Sequence, residues 1–168
     1  MKNILLLLAL ITLFSTSIFS QTAEEYYNKG FAKYEAGNYK GAIADYTKAI
    51  HLNPNLEGAY INRGIAKNGL KDYAGALVDF NKAASLVPGM SLAYYHIGIA
   101  KSRLGDYKGS IAAYTRALEL TPNDAELYNL RAVAKYNFRD KTGACADFKK
   151  AASLGSSKGY DALNKYCK

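Results

Sequence analysis

The sequence predicts an all-α, right-handed α-solenoid of four 34-residue helix-turn-helix repeats closed by a C-terminal capping helix. Three observations carry this. First, the three prolines of the 168-residue chain, Pro54, Pro88 and Pro122, are spaced 34 residues apart. Tyr26, Tyr60, Tyr94 and Tyr128 keep the same step, as do Gly30, Gly64 and Gly98, with Ala132 in the fourth slot. A fixed period of this length marks a stack of helical pairs. Second, each unit sets an aromatic four residues before a small residue, as in Tyr94 and Gly98, and then runs small, large, small at 110, 114 and 117. Both are single-face helical spacings, bulk beside a gap, which lets two helices approach closely. Third, Leu104-Gly105-Asp106-Tyr107 lies between the two stripes. Glycine suits the left-handed residue that ends one helix and aspartate caps the next. Proline then separates unit from unit.

In chain order, MKNILLLLALITLFSTSIFSQ comes first. Lys2 precedes an apolar run, Ile4 to Phe14, followed by small residues. Residues 1–20 read as a signal peptide cut after Ser20, with an uncleaved membrane anchor as the alternative. No cysteine lies near the cut, which excludes a lipidated one. Cleavage removes Lys2 and takes the formal charge from +8 to +7. Units follow at 23–56, 57–90, 91–124 and 125–158. Their helices are expected near 23–36 and 39–52, 57–70 and 73–86, 91–104 and 107–120, and 125–138 and 141–154. The fourth is atypical: Ala132 replaces the glycine, Lys141 the turn tyrosine, and no proline follows. The tail, 155–168, predicts a cap near 157–167. Tyr160, Leu163 and Cys167 would form its apolar face, and Ser156 or Ser157 its N-cap.

Catalytic chemistry finds no purchase in this pattern. His51 and His96 occupy different slots with no cysteine or acid at ligand spacing, and nothing pairs a nucleophile with a base. No metal, cofactor or enzymatic activity is expected. Lys33, Lys67, Lys101 and Lys135 keep the 34-residue step. They form either a basic ladder for an acidic partner or stems that pack over their units while each ammonium meets water or a carboxylate. Asp45, Asp79 and Asp147 share the period and are expected to pair with basic groups of the following unit. Basic and acidic residues alternate through the units, so nucleic acid is not an expected partner; that would need clustering on one face. A loose, non-specific attraction to an anionic envelope surface is compatible with the charge.

The pattern resembles the tetratricopeptide repeat family, in an exported bacterial form, over about four fifths of the chain. These repeats are scaffolds with many unrelated partners. The resemblance implies a concave wall of first helices. Here that wall would offer Tyr27, Phe31, Tyr34, Ile61, Ile65, Asn68, Tyr95, Ile99, Ser102, Arg103, Asn129, Val133 and Tyr136. Either these side chains pack between adjacent helices or they form a groove for an extended or helical peptide. A family subtype grips a C-terminal carboxylate with Lys, Asn and Arg. The matching slots hold Tyr27, Phe31, Asn62, Leu92 and His96, of which only Asn62 fits, so such clamping is not expected. The expected function is an exported, periplasmic or extracellular scaffold binding a protein or peptide. A structural part of an envelope assembly is the alternative. No membrane insertion is expected after cleavage.

The two cysteines, Cys145 and Cys167, suit an oxidising compartment. In antiparallel helices they lie about 13.5 and 15 Å from the turn at 1.5 Å per residue, so a disulfide is reachable. Two buried thiols are the alternative.

Overall fold

The computed structural model describes residues 22–167; the expected signal peptide, 1–20, lies outside the described residues. These hold nine helices and no strand: α1 Ala23–Glu35, α2 Tyr39–Leu52, α3 Glu57–Gly69, α4 Tyr73–Leu86, α5 Ser91–Arg103, α6 Tyr107–Leu120, α7 Ala125–Asn137, α8 Lys141–Ser153 and α9 Ser157–Tyr166. Each helix packs on the next, and α9 rests on α8 and on α7. The result is an α-solenoid whose odd helices up to α7 line one face and whose even helices line the other.

The turns explain the hairpins. Asn38, Asp72, Asp106 and Asp140 each accept a hydrogen bond from the N–H three residues on, capping α2, α4, α6 and α8. The residue before each cap is left-handed: Gly37, Lys71, Gly105 and Arg139, with φ between 64° and 80°. Glycine fills two of these slots without steric cost, and lysine and arginine hold the other two against it.

Within each hairpin an aromatic of the second helix sits on a small residue of the first. A methyl on Gly98 would lie 2.4 Å from Tyr114 Cε1, one on Gly64 2.5 Å from Phe80, and one on Gly30 2.8 Å from Tyr46. Tyr46, Phe80 and Tyr114 are almost fully buried, each removal from water worth about 1.5–3 kcal/mol. Buried Ser110 also donates to the Gly98 carbonyl at 2.8 Å.

The buried aspartates correct one expectation. They pair within their own hairpin, not with the following one. Asp79 takes Arg63 at 2.7 Å and Lys67 at 2.8 Å. Asp147 takes Arg131 and Lys135, both at 2.8 Å, and Asp45 takes Lys33. A lysine ten residues into the first helix and an aspartate six residues into the second meet across the same turn. The link between hairpins is made by the arginines, which donate back to Thr47 and Thr115 of the preceding hairpin. The third hairpin replaces the ionic cluster with buried Ile97 and Ala113, and Lys101 turns to Asp106.

A disulfide joins Cys145 and Cys167, with a Cα separation of 5.7 Å. Ser156 caps α9 through the Gly159 N–H. The packed face of α9 differs from expectation. Tyr160 is 63% exposed, while Gly159 lies against Ala151 and Ala152. Ala162, Leu163 and Cys167 join Phe148 and Tyr136. A residue without a side chain lets α9 come close, and the tyrosine is turned out.

Candidate functional site

Between the first helices α1, α3, α5 and α7, two hollows each gather several expected wall residues, and a third, lined by Tyr27, Glu24, Leu56 and Gly58, lies at the N-terminal ends of α1 and α3. The first, about 210 Å³, lies between α1 and α3 and is lined by Phe31, Tyr34, Asn62 and Ile65. The second, about 430 Å³, lies between α5 and α7. Ile99, Ser102, Arg103, Leu130, Val133 and Asn137 line it, together with Tyr107 and Tyr114 of α6. Phe31 and Val133 stand about half exposed at 49% and 47%, so one apolar side chain at each of these two hollows faces water.

Adjacent first helices are tied by polar contacts. Asn62 Nδ2 donates to Tyr27 Oη at 2.9 Å, and Tyr95 Oη donates to Glu126 at 3.3 Å. Each bond joins the two first helices that flank one hollow, and so holds that hollow's width.

The structure sorts the expected wall residues. It brings Phe31, Tyr34 and Ile65 together in the first hollow, and Ile99, Ser102, Arg103 and Val133 in the second. Ile61 does not line the wall: it is 4% exposed, in the core with Tyr60, Phe80 and Ile97. It lies four residues before Ile65, one turn back on the same side of α3, where packing against the neighbouring helices covers it. Asn129 donates to Ser156 Oγ at 2.6 Å and so serves the cap. Tyr136 packs at a tilt against Tyr166 of α9, ring centroids 5.1 Å apart. Tyr27 and Tyr95 act as the ties just described, and Asn68 is half-buried. Leu130 and Asn137 were not among the expected residues. Both lie on Val133's side of α7, three residues before it and four after, a spacing readable in the sequence. Asn62, expected only as a carboxylate ligand, lines the first hollow and ties α3 to α1.

The wall is electrically quiet. Burial pushes the Tyr46 phenol up to about 12 and raises Tyr114 further. Burial, then the Glu126 carboxylate, raises Tyr95. All stay neutral at ordinary pH. His96, stacked on Phe80 at 5.0 Å, is lowered to about 4 by burial and is neutral too. Arg103 is the one ion among the second hollow's lining residues. Among the described residues no three His, Cys, Asp or Glu side chains gather as metal ligands would. The surface offers apolar contact, amide and hydroxyl hydrogen bonds, and one guanidinium.

Residues 23–56 match the family model described as tetratricopeptide repeat, and residues 102–137 that described as TPR repeat. Solved structures agree. The first TPR of Spaghetti (RPAP3) bound to the HSP90 peptide SRMEEVD is 32% identical. The match has a TM-score of 0.69 and covers 71% of this chain and 95% of that one. The first TPR domain of human RPAP3 is 30% identical, with a TM-score of 0.67, covering 70% and 93%. MamA 41-end from Desulfovibrio magneticus RS-1 is 22% identical and shares the fold, with a TM-score of 0.77 over 87% and 86%. No curated protein sequence matches the chain.

Proposed function

Because the chain belongs to the tetratricopeptide repeat family, we propose that it is a protein-interaction scaffold whose first-helix face holds an extended or helical peptide segment of a partner. One observation carries this: two hollows on one face, each with a half-exposed apolar side chain, Phe31 or Val133, in its lining. Hollows preformed between hydrogen-bonded helices favour a partner that offers two apolar anchors, since buried anchors in preformed pockets carry most of the affinity in such interfaces.

The Spaghetti structure holds a peptide ending in an acidic residue. The present chain is not equipped for a carboxylate in the slots Tyr27, Phe31, Asn62, Leu92 and His96. Asn62 is committed to Tyr27 and His96 is neutral within the fold. The preferred ligand is therefore an internal apolar segment.

The reading includes export. The apolar run from Ile4 to Phe14 and the Cys145–Cys167 disulfide both support an oxidising destination outside the cytoplasm. Intact mass of chain recovered from the envelope fraction tests it. Loss of residues 1–20 is expected, and an uncut chain with free thiols contradicts it.

Peptides selected from a random library on immobilised protein test the groove. The selected peptides should carry two apolar anchors. Phe31→Ala with Val133→Ala should weaken them at least tenfold without changing the melting temperature by more than a few degrees. Unchanged affinity contradicts the proposal.

A further inference from the structure

The even helices carry a second surface. Each turns one stripe away from the stack, and every position of that stripe is exposed. Its last slot is basic in all four hairpins: Lys48, Lys82, Arg116 and Lys150. Its first slot adds Lys40 and Lys108. Between them lie only small apolar side chains, of which Val78 at 68% exposed is the largest.

The charge on this face is one-sided. α2, α4, α6 and α8 carry two, one, two and three exposed Lys or Arg residues, eight together, against a single exposed carboxylate, Glu119. Their other acids, Asp45, Asp79 and Asp147, are buried and already paired with cations of the first helices. The three aspartates inside these helices are thus withdrawn from this face, while the exposed caps Asp72, Asp106 and Asp140 stand at its edge and Glu119 pairs with Arg116. The separation expected to be absent is present in three dimensions.

We propose that this even-helix face adsorbs to an anionic lipid surface. The cations are mostly lysines, point charges suited to a diffuse field rather than to bidentate recognition. No exposed aromatic is available on the stripe for base stacking. The helices lie flank by flank, so none projects into a nucleic-acid groove. With no apolar side chain larger than valine, the face meets headgroups without inserting, and its attraction is set by charge and ionic strength. The proposal does not rest on the peptide groove, which occupies the opposite face and stays free when the even helices are engaged.

Co-sedimentation with vesicles tests it. The probes are phosphatidylcholine alone and phosphatidylcholine with a third phosphatidylglycerol, at about 0.1 M and about 1 M salt, where the screening length falls from about 10 Å to about 3 Å. Residues 1–21 are common to every protein compared. Any binding through their apolar run shows equally with phosphatidylcholine alone. The full chain should bind the anionic vesicles and lose that binding at high salt. Reversal of the row, Lys48→Glu, Lys82→Glu, Arg116→Glu and Lys150→Glu, should weaken it about a hundredfold or more. The milder set of four glutamine substitutions should weaken it about tenfold or more. A control with the same change in net charge at exposed sites elsewhere, Lys71→Glu, Arg139→Glu, Lys158→Glu and Lys165→Glu, should stay within a few-fold of the parent. Equal loss in row and control variants makes net charge the only cause and overturns the proposal. So does an excess of binding to the anionic vesicles over phosphatidylcholine alone that survives high salt. Tighter binding to single-stranded DNA than to vesicles at the same salt also overturns it, in favour of nucleic acid.

Discussion

Tyr114 Cε1 lies 2.4 Å from where a β-carbon on Gly98 would sit, so the ring of one helix occupies the side-chain space of the other. In an exposed helix, Gly→Ala stabilises by up to about 1 kcal/mol. Here the overlap costs about 1–3 kcal/mol, so Gly98→Ala should lose about 1 kcal/mol net and Gly98→Leu more. In the fourth hairpin Ala132 faces Phe148 in the same slot, so that pair is already spaced for a methyl and Ala132→Gly should destabilise as well. Chemical denaturation of the three variants checks this. A more stable Gly98→Ala would show that α5 and α6 can part freely.

The third hairpin serves as a graft donor for the second. Asp79, 1% exposed, neutralises Arg63 and Lys67. Asp79→Ala alone leaves two poorly solvated cations and should cost about 3–5 kcal/mol. Adding Arg63→Ile recreates the Ile97 and Ala113 arrangement, and Lys67 can then turn to Asp72 as Lys101 turns to Asp106. The double variant should recover at least half of the loss. Additive losses in urea melts would contradict this exchange of an ionic for an apolar core.

These two cases mark what the sequence made legible. The period, the helix ends to within a residue, the Gly–aromatic contacts and the Cys145–Cys167 bridge were all readable, because each follows from local spacing. The partners of the aspartates were not. Period alone cannot say whether a stripe faces its own hairpin or the next, and that depends on how the helices roll against each other. Ile61, Asn129 and Tyr136 were placed on an open wall for the same reason, yet the core or α9 holds them. The one-sided charge of the even helices was hidden because burial of three aspartates, not their position in sequence, creates it. Tyr160 points outward because Gly159 makes the closer contact.

His96 gives the fold a pH dependence. Its ordinary value of 6.5 is lowered to about 4 by burial, so between these the unfolded chain binds the extra proton. Stability is then complete above about pH 6.5 and falls as pH drops toward 4. The loss should be about 2–3 kcal/mol from this group. His96→Leu, matching Leu130 one repeat on, should remove that part of the slope between pH 7 and pH 4.5. Parallel slopes for parent and variant would show that His96 is solvated.

Opening the disulfide should loosen the end of the stack. The cysteines are 22 positions apart in sequence, and closing such a loop contributes about 3 kcal/mol. Cys145→Ser with Cys167→Ser should lower stability by about that amount and speed amide exchange in α9 most, with α1 to α6 little changed. Uniform acceleration would mean that the bridge acts on the whole stack.

Amide exchange on the chain with a selected two-anchor peptide bound tests the scaffold reading most directly. Protection should rise along α1, α3, α5 and α7, strongest beside Phe31, Ile65, Ile99 and Val133, and stay unchanged along α2, α4, α6 and α8. Protection confined to the even helices would place the peptide on the opposite face and contradict the account.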